Sequence, residues 1–329
     1  MKLATFQMIN LGPRLGVVSS DGASILDAGA LAQSATGSVG AFGTMLDLID
    51  AGPDALSQLR AWTSESGLNW INLGEVTLLA PLPNPRRLRC FSTYEKHLVQ
   101  AFQQVLKHKL SGPVYAIVKG LGLIKAPKKF FKVPAYYKGN HLAISGPDQT
   151  IDWPSYSQML DYELELGLVI GKPGKDVPVS SALDHVFGYT IFNDFSARDA
   201  LMGEMGFGPS AGPAKGKDFD TSNAIGPWIV TADEMGDPAS ATMTVRVNGV
   251  ERGTAKVSDA AHSVAAMVAY ASRGETLCPG EMMSCGAVGD GTGIESWRFL
   301  VPGDRVELMI ERIGTLANIL GPKGAFTPL

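Results

Sequence analysis

The stretch Asp161-Tyr162-Glu163-Leu164-Glu165-Leu166-Gly167-Leu168 constrains this chain more than any other. Leucines 164, 166 and 168 alternate with Glu163, Glu165 and Gly167, a period of two that a half-buried strand explains and a helix does not. Residues i and i+2 of a strand project to one face about 7 Å apart, so the two glutamates share a surface. On an exposed sheet that surface is merely solvated. Here Leu160 precedes and Leu168-Val169-Ile170 follows, the pattern of a buried strand, where paired like charges are costly unless a cation compensates them. Oxygen ligands suit a hard divalent ion such as Mg²⁺, Ca²⁺ or Mn²⁺.

Asp194 is a third acid of interest. It ends the apolar run that begins at Tyr189 and precedes Ser196-Ala197-Arg198-Asp199, a capping-box spacing that predicts a helix start. An acid at a strand-to-helix junction is also an ordinary cap or turn residue, so both readings stand. Beyond it, Gly206-Phe-Gly-Pro-Ser-Ala-Gly-Pro213 predicts a flexible segment. It leads to Lys215 and Lys217, where backbone N–H groups and a lysine can approach an anion.

The remainder reads as strand-rich α+β. Thirty-eight glycines and 20 prolines in 329 residues imply many turns, while 45% apolar and 18% charged residues exclude a disordered or fibrous chain. Strand patterns fall at 3–8, 15–19, 188–192, 282–287 and 305–313. Thr242–Val247 and Val250–Val257 form a hairpin around Asn248-Gly249. Helices are expected at 42–49, ending at Ala51-Gly52-Pro53, and at 262–273, closed by Gly274. Leu98, Phe102, Val105, Leu106 and Leu110 form an apolar stripe on a further helix leading away from His97. A loop then carries Lys125, Lys128, Lys129 and Lys132, read as a solvated face in preference to a lid. Three prolines within 79–86 place a boundary between a small α+β domain, 1–80, and a larger one, 81–329.

The net charge of −4, without a long basic block, argues against a nucleic-acid partner. Cys90, Cys278 and Cys285 lack the spacing of a disulfide framework or thiolate zinc site. No signal-like or membrane-spanning run is present, so a cytoplasmic location is expected.

Several blocks together resemble the fumarylacetoacetate hydrolase family of metal-dependent enzymes acting on oxo acids. They are Leu160-Asp-Tyr-Glu-Leu-Glu-Leu166, Gly188-Tyr-Thr-Ile-Phe-Asn-Asp-Phe-Ser-Ala-Arg-Asp199, Gly212-Pro-Ala-Lys-Gly-Lys-Asp-Phe219 with Gly226-Pro-Trp228, and Pro302-Gly-Asp304 with Ile313-Gly314. The resemblance covers roughly residues 81–329. It implies a mixed β-roll catalytic domain, a small N-terminal domain and a homodimer. It also implies Glu163, Glu165 and Asp194 as ligands of Mg²⁺ or Mn²⁺, Lys217, Arg198 and Tyr137 as substrate contacts, and His97 as the general base of hydrolytic members. Without the family, a lone histidine beside an amphipathic helix reads as structural.

Three positions depart from the family pattern. Cys90 stands where fumarylacetoacetases carry a fourth metal-binding aspartate, Leu201 where they carry glutamine, and Ala287 in a turn where they carry threonine. The expectation is therefore a divalent-metal enzyme for a 2-oxo or 1,3-dicarbonyl acid other than fumarylacetoacetate. In hydrolysis, His97, oriented by Glu95 or Glu295, activates water, Lys217 helps neutralise the enolate, and a carbon–carbon bond breaks. Decarboxylation, hydration and isomerisation pass through the same enolate. A non-catalytic small-acid or partner-binding protein is the competing class, resting on Cys90, Leu201 and Ala287.

Overall fold

The computed structural model describes residues 1–206 and 212–327; residues 207–211, within the segment expected to be flexible, lie outside that description. Strands β1 (Lys2–Gln7), β2 (Arg14–Val18) and β3 (Ser24–Asp27) form an antiparallel meander. Asp27 caps α1 (Ala28–Thr36) by accepting the Ala30 N–H. The helix expected to stop at Gly52-Pro53 instead continues as α2 (Met45–Thr63). Gly52, at φ 78°, breaks the helical path. Pro53 then opens a second stretch, because a first helical turn leaves N–H groups unpaired anyway.

After β4 (Ile71–Asn72) and β5 (Thr77–Leu79), the proline-rich segment runs as irregular chain into β6 (Leu88–Phe91). The apolar stripe lies on α3 (Glu95–Lys109), as expected. Part of the expected loop is a helix, α4 (Gly112–Gly120), started by Ser111 and Pro113 in the positions that favour a helix N-terminus. The four loop lysines are exposed. Next come β7 (Tyr136–Lys138), β8 (Ile144–Ser145), β9 (Thr150–Trp153), β10 (Leu160–Asp161), β11 (Leu164–Ile170), β12 (Val186–Asp194) and β13 (Ser196–Ala197).

The helix α5 (Arg198–Met205) follows directly, but no capping box forms. Ser196 Oγ donates back to the Asp194 carbonyl, and Asp199 accepts from Ser157 and Gln158. Beyond β14 (Asn223–Thr231) and α6 (Ala232–Met235), β15 (Thr242–Val247) and β16 (Val250–Lys256) form the expected hairpin. Its turn residues Asn248 and Gly249 both have positive φ, as a type I′ turn requires. The helix expected from His262 is α7 (Val264–Ala271), shortened because Ser263 caps it through the Ala266 N–H. Strands β17 (Met282–Ser284), β18 (Arg305–Ile310) and β19 (Gly314–Lys323) complete the chain.

The fold is α+β and strand-rich. A twelve-stranded sheet runs β4-β3-β2-β1-β14-β12-β11-β17-β6-β7, with β5 beside β1 and β8 beside β14; a five-stranded sheet runs β16-β15-β18-β19-β9. Every residue of β11 is buried, as the flanking apolar residues led one to expect, and the strand is covered on both faces. Leu164, Leu166, Leu168 and Ile170 share a core with Val245, Leu308 and Leu316 of the smaller sheet. On the opposite face Val169 joins the core under α2, and the glutamates point into a cavity. No helix among the described residues is long and apolar enough to cross a membrane.

Candidate active site

The two strands at the centre of the large sheet, β11 and β12, pair in antiparallel register and deliver the acids. Glu163 lies just before β11, where its N–H donates to Asn193 Oδ1; Glu165 lies on the same face, and Asp194 ends β12. Carboxylate oxygens of Glu163, Glu165 and Asp194 lie within 4.8 Å of one another, and all three residues are buried. The two readings of Asp194 thus resolve in favour of the acid cluster.

Two buried cations approach the cluster. Lys217 Nζ is 2.7 Å from Glu163 Oε2 and 3.0 Å from Asp194 Oδ2. Arg198, at the first turn of α5, sits 2.7 Å from both Asp161 Oδ2 and Glu163 Oε1. Asp161 is held in turn by the N–H groups of Gly293 and Ile294, so it positions the guanidinium. Tyr137 donates to Asp194 Oδ2 at 2.6 Å. The Gly286 N–H donates to Glu165 Oε2 at 2.9 Å. Only glycine fits there, because φ is +92° and a Cβ would meet the Phe91 carbonyl oxygen at 2.7 Å.

The charge balance identifies what the cluster is suited to hold. Asp161, Glu163, Glu165 and Asp194 are four buried acids against two buried bases, Arg198 and Lys217. The acids outnumber the bases in contact with them, an imbalance that a cation at the three carboxylates would relieve. Burial opposes ionisation of Glu163, yet Lys217 and Arg198 hold its carboxyl below the usual range. Glu165 lacks such a partner and is pushed well up by burial and by repulsion from Asp194 and Glu163. Burial also raises Asp194, only partly offset by Lys217. Asp194 Oδ1 is buried without a hydrogen-bond partner among the described residues. An oxygen-rich donor set with an unpartnered carboxylate oxygen and uncompensated charge fits a hard divalent cation.

The cluster opens into a cavity of about 660 Å³ whose wall also carries His97. Of the two carboxylates considered for orienting this ring, Glu295 is 3.1 Å from Nδ1, whereas Glu95 is exposed on the first turn of α3. Glu295 is fixed by the Thr292 N–H. Cys90 is buried on β6, paired with Tyr137 of β7, and burial pushes its thiol pKa well up, keeping it protonated. Leu201 and Ala287 line the cavity. Asp161 and Gly286 were not singled out from the sequence. The first lay within a quoted motif but revealed its role only through Arg198, and the second directly precedes Ala287 in a turn whose geometry emerges only from folding.

A buried carboxylate centre suited to a divalent cation, beside a histidine–carboxylate pair on a strand-rich α+β fold, is the arrangement of an enzyme site. Residues 109–320 match the family described as fumarylacetoacetate (FAA) hydrolase C-terminal, and the chain belongs to that family. It is 30% identical to the mitochondrial oxaloacetate tautomerase fahd2 of Xenopus laevis over 97% of this chain and 89% of that protein. It is also 30% identical to the oxaloacetate tautomerase YisK of Bacillus subtilis (strain 168), over 85% and 87%. Among solved structures, maleylpyruvate hydrolase of Sphingobium sp. SYK-6, in complex with manganese(II) ion and pyruvate, aligns at TM-score 0.70 and 26% identity, covering 98% of this chain and all of that one. The family relatives include hydrolases, isomerases and tautomerases, and the chain is an enzyme of this family rather than a non-catalytic binding protein.

Proposed function

We propose that the protein is a Mg²⁺- or Mn²⁺-dependent hydrolase that cleaves a carbon–carbon bond of an acylpyruvate-like 2,4-dioxo acid. The observation that carries this reading is His97, paired with Glu295 behind it, lining the same cavity as the three carboxylates. Glu163, Glu165 and Asp194 hold the cation, which supplies Lewis-acid stabilisation of enolate charge when bound. Glu295 accepts a hydrogen bond from the Nδ1–H of His97, which leaves Nε2 as the basic nitrogen. Nε2 removes a proton from water as the water oxygen attacks the distal carbonyl carbon. The bond between that carbon and the methylene then breaks, its electron pair leaving as the enolate of pyruvate. The imidazolium returns the proton, so the products are a carboxylic acid and pyruvate. Lys217 keeps its ammonium charged, burial notwithstanding, because Asp194 and Glu163 face it; it offsets charge on the substrate carboxylate or enolate. Tyr137 holds Asp194, and Arg198 holds Glu163, in ligating orientation.

The tautomerase relatives favour a second reading, proton transfer in oxaloacetate without water attack. The test measures pyruvate release from acetylpyruvate and enol-to-keto conversion of oxaloacetate by the metal-loaded enzyme. Hydrolysis is expected to fall about 10²- to 10⁴-fold in His97→Ala while metal affinity is retained. Oxaloacetate conversion with acetylpyruvate left intact would replace the first reading by the second. A homodimer and a cytoplasmic location are part of the same proposal, open to sedimentation and cell fractionation.

A further inference from the structure

The apolar stripe of α3 has no core to face. None of the fifteen residues of α3 is buried, and Phe102 is 48% exposed. Yet Leu98, Phe102 and Val105 line the cavity that holds the carboxylates, as do His97 at one end of the helix and Lys109 at the other. With about 1.5 Å of rise per residue, the cavity follows the helix for about 18 Å from His97 to Lys109. On α5, Leu201, Met202 and Met205 line the same cavity. Leu201 and Ala287 add apolar wall to the same cavity. Oxaloacetate or acetylpyruvate, with about nine non-hydrogen atoms each, occupies only the polar end of a cavity in the usual ligand-site range.

We propose that this limb of the active site binds an extended apolar substituent of the oxo acid. The substrate class is therefore a 2-oxo or 2,4-dioxo acid carrying an unbranched alkyl chain of about eight carbons or an aryl group of similar length. The length follows from the seven-residue step from Leu98 to Val105, which spans about 10 Å along the helix. Burial of the chain covers apolar surface of α3 and α5 that otherwise faces water. Lys109 and Lys125 are exposed at the cavity rim, where the far end of the substituent reaches solvent.

The inference rests on the oxo-acid reading of the polar end, and the experiment separates the two. Affinities of pyruvate, 2-oxohexanoate and 2-oxodecanoate for the Mg²⁺-loaded protein are measured by calorimetry, with decanoate as a control lacking the 2-oxo group. With the chain about half buried, affinity is expected to rise about twofold per methylene, giving about a hundredfold over the seven methylenes from pyruvate to 2-oxodecanoate. Decanoate should bind far more weakly than 2-oxodecanoate. Phe102→Ser and Met205→Ser, at half-exposed and exposed positions that tolerate substitution, should flatten the chain-length slope. A flat series, or decanoate binding as tightly as 2-oxodecanoate, overturns the limb as a substrate subsite. A steep series with no turnover of 2,4-dioxo acids of any length leaves the limb standing and removes the hydrolase reading. Hydrolysis of acetylpyruvate with a flat series does the reverse.

Discussion

Glu165 is pushed well above the usual carboxylate range by burial and by Asp194 and Glu163, which Lys217 and the Gly286 N–H offset only in part. A divalent cation bound only by the folded state relieves that repulsion and stabilises the protein by mass action, about 2.7 kcal/mol at a hundredfold excess over Kd. Millimolar Mg²⁺ or Mn²⁺ is therefore expected to raise Tm, and Glu163→Ala and Glu165→Ala each to remove the rise. A wild-type Tm unmoved by either ion would dismiss the three-carboxylate centre. Cys90 provides the complementary test. It is a packed thiol beside Tyr137, so Cys90→Ser should change Mg²⁺ affinity by less than about threefold, the size of a lost neutral contact. A loss of a hundredfold in a folded serine variant, read by calorimetry, would make the sulfur a ligand. Glu163 and Glu165 were legible because a period-two pattern sets charged residues in an apolar strand. Asp161 was not, because its work is done through Arg198, 37 residues later in sequence.

At the scale of elements, the turn after β17 reaches the site through a backbone contact to Glu165. Gly286 turns the chain at φ +92°, and its N–H meets Glu165 only because no Cβ separates it from the Phe91 carbonyl. Gly286→Ala is expected to destabilise the protein by about 1–3 kcal/mol and to weaken Mg²⁺ binding, since the loop must move away from Glu165. Denaturant midpoints together with metal titration check both effects; an unchanged metal affinity would show that the N–H contact is dispensable. Strands with alternating leucines and the Asn248-Gly249 hairpin could be read directly, as local pattern and turn chemistry determine them. The course of α2 could not, because Gly52-Pro53 is a stop signal locally and becomes a restart only when Leu48, Ile49, Ala55 and Leu59 all enter one core. The stripe on α3 was legible as helix. That it lines a cavity depends on the placement of α5, which no local pattern encodes.

For the whole molecule, the division at residue 80 follows chain order, and we propose that it does not divide cooperativity. Strand β1 pairs with β14 through Lys2↔Val230 and Leu3↔Ile229, which makes the amino-terminal meander an extension of the sheet bearing the site. Leu3, Val17, Ile49 and Leu59 share a core with Phe192, Ile225 and Ile229 of β12 and β14. Removing residues 1–80 would bare that face of the two strands, one of which ends in Asp194. Burial of several large apolar side chains at about 1.5–3 kcal/mol each is large against the stability of an ordinary domain. The full chain is therefore expected to unfold in a single calorimetric transition that moves as one with bound Mg²⁺. Leu3→Ala, about 250 Å of extended chain from the segment beyond residue 80 yet packed against its strands, should lower that one transition by about 2–5 kcal/mol. Two resolved transitions, with only the earlier one sensitive to Leu3→Ala and only the later one to Mg²⁺, would establish two independently folding domains joined near residue 80.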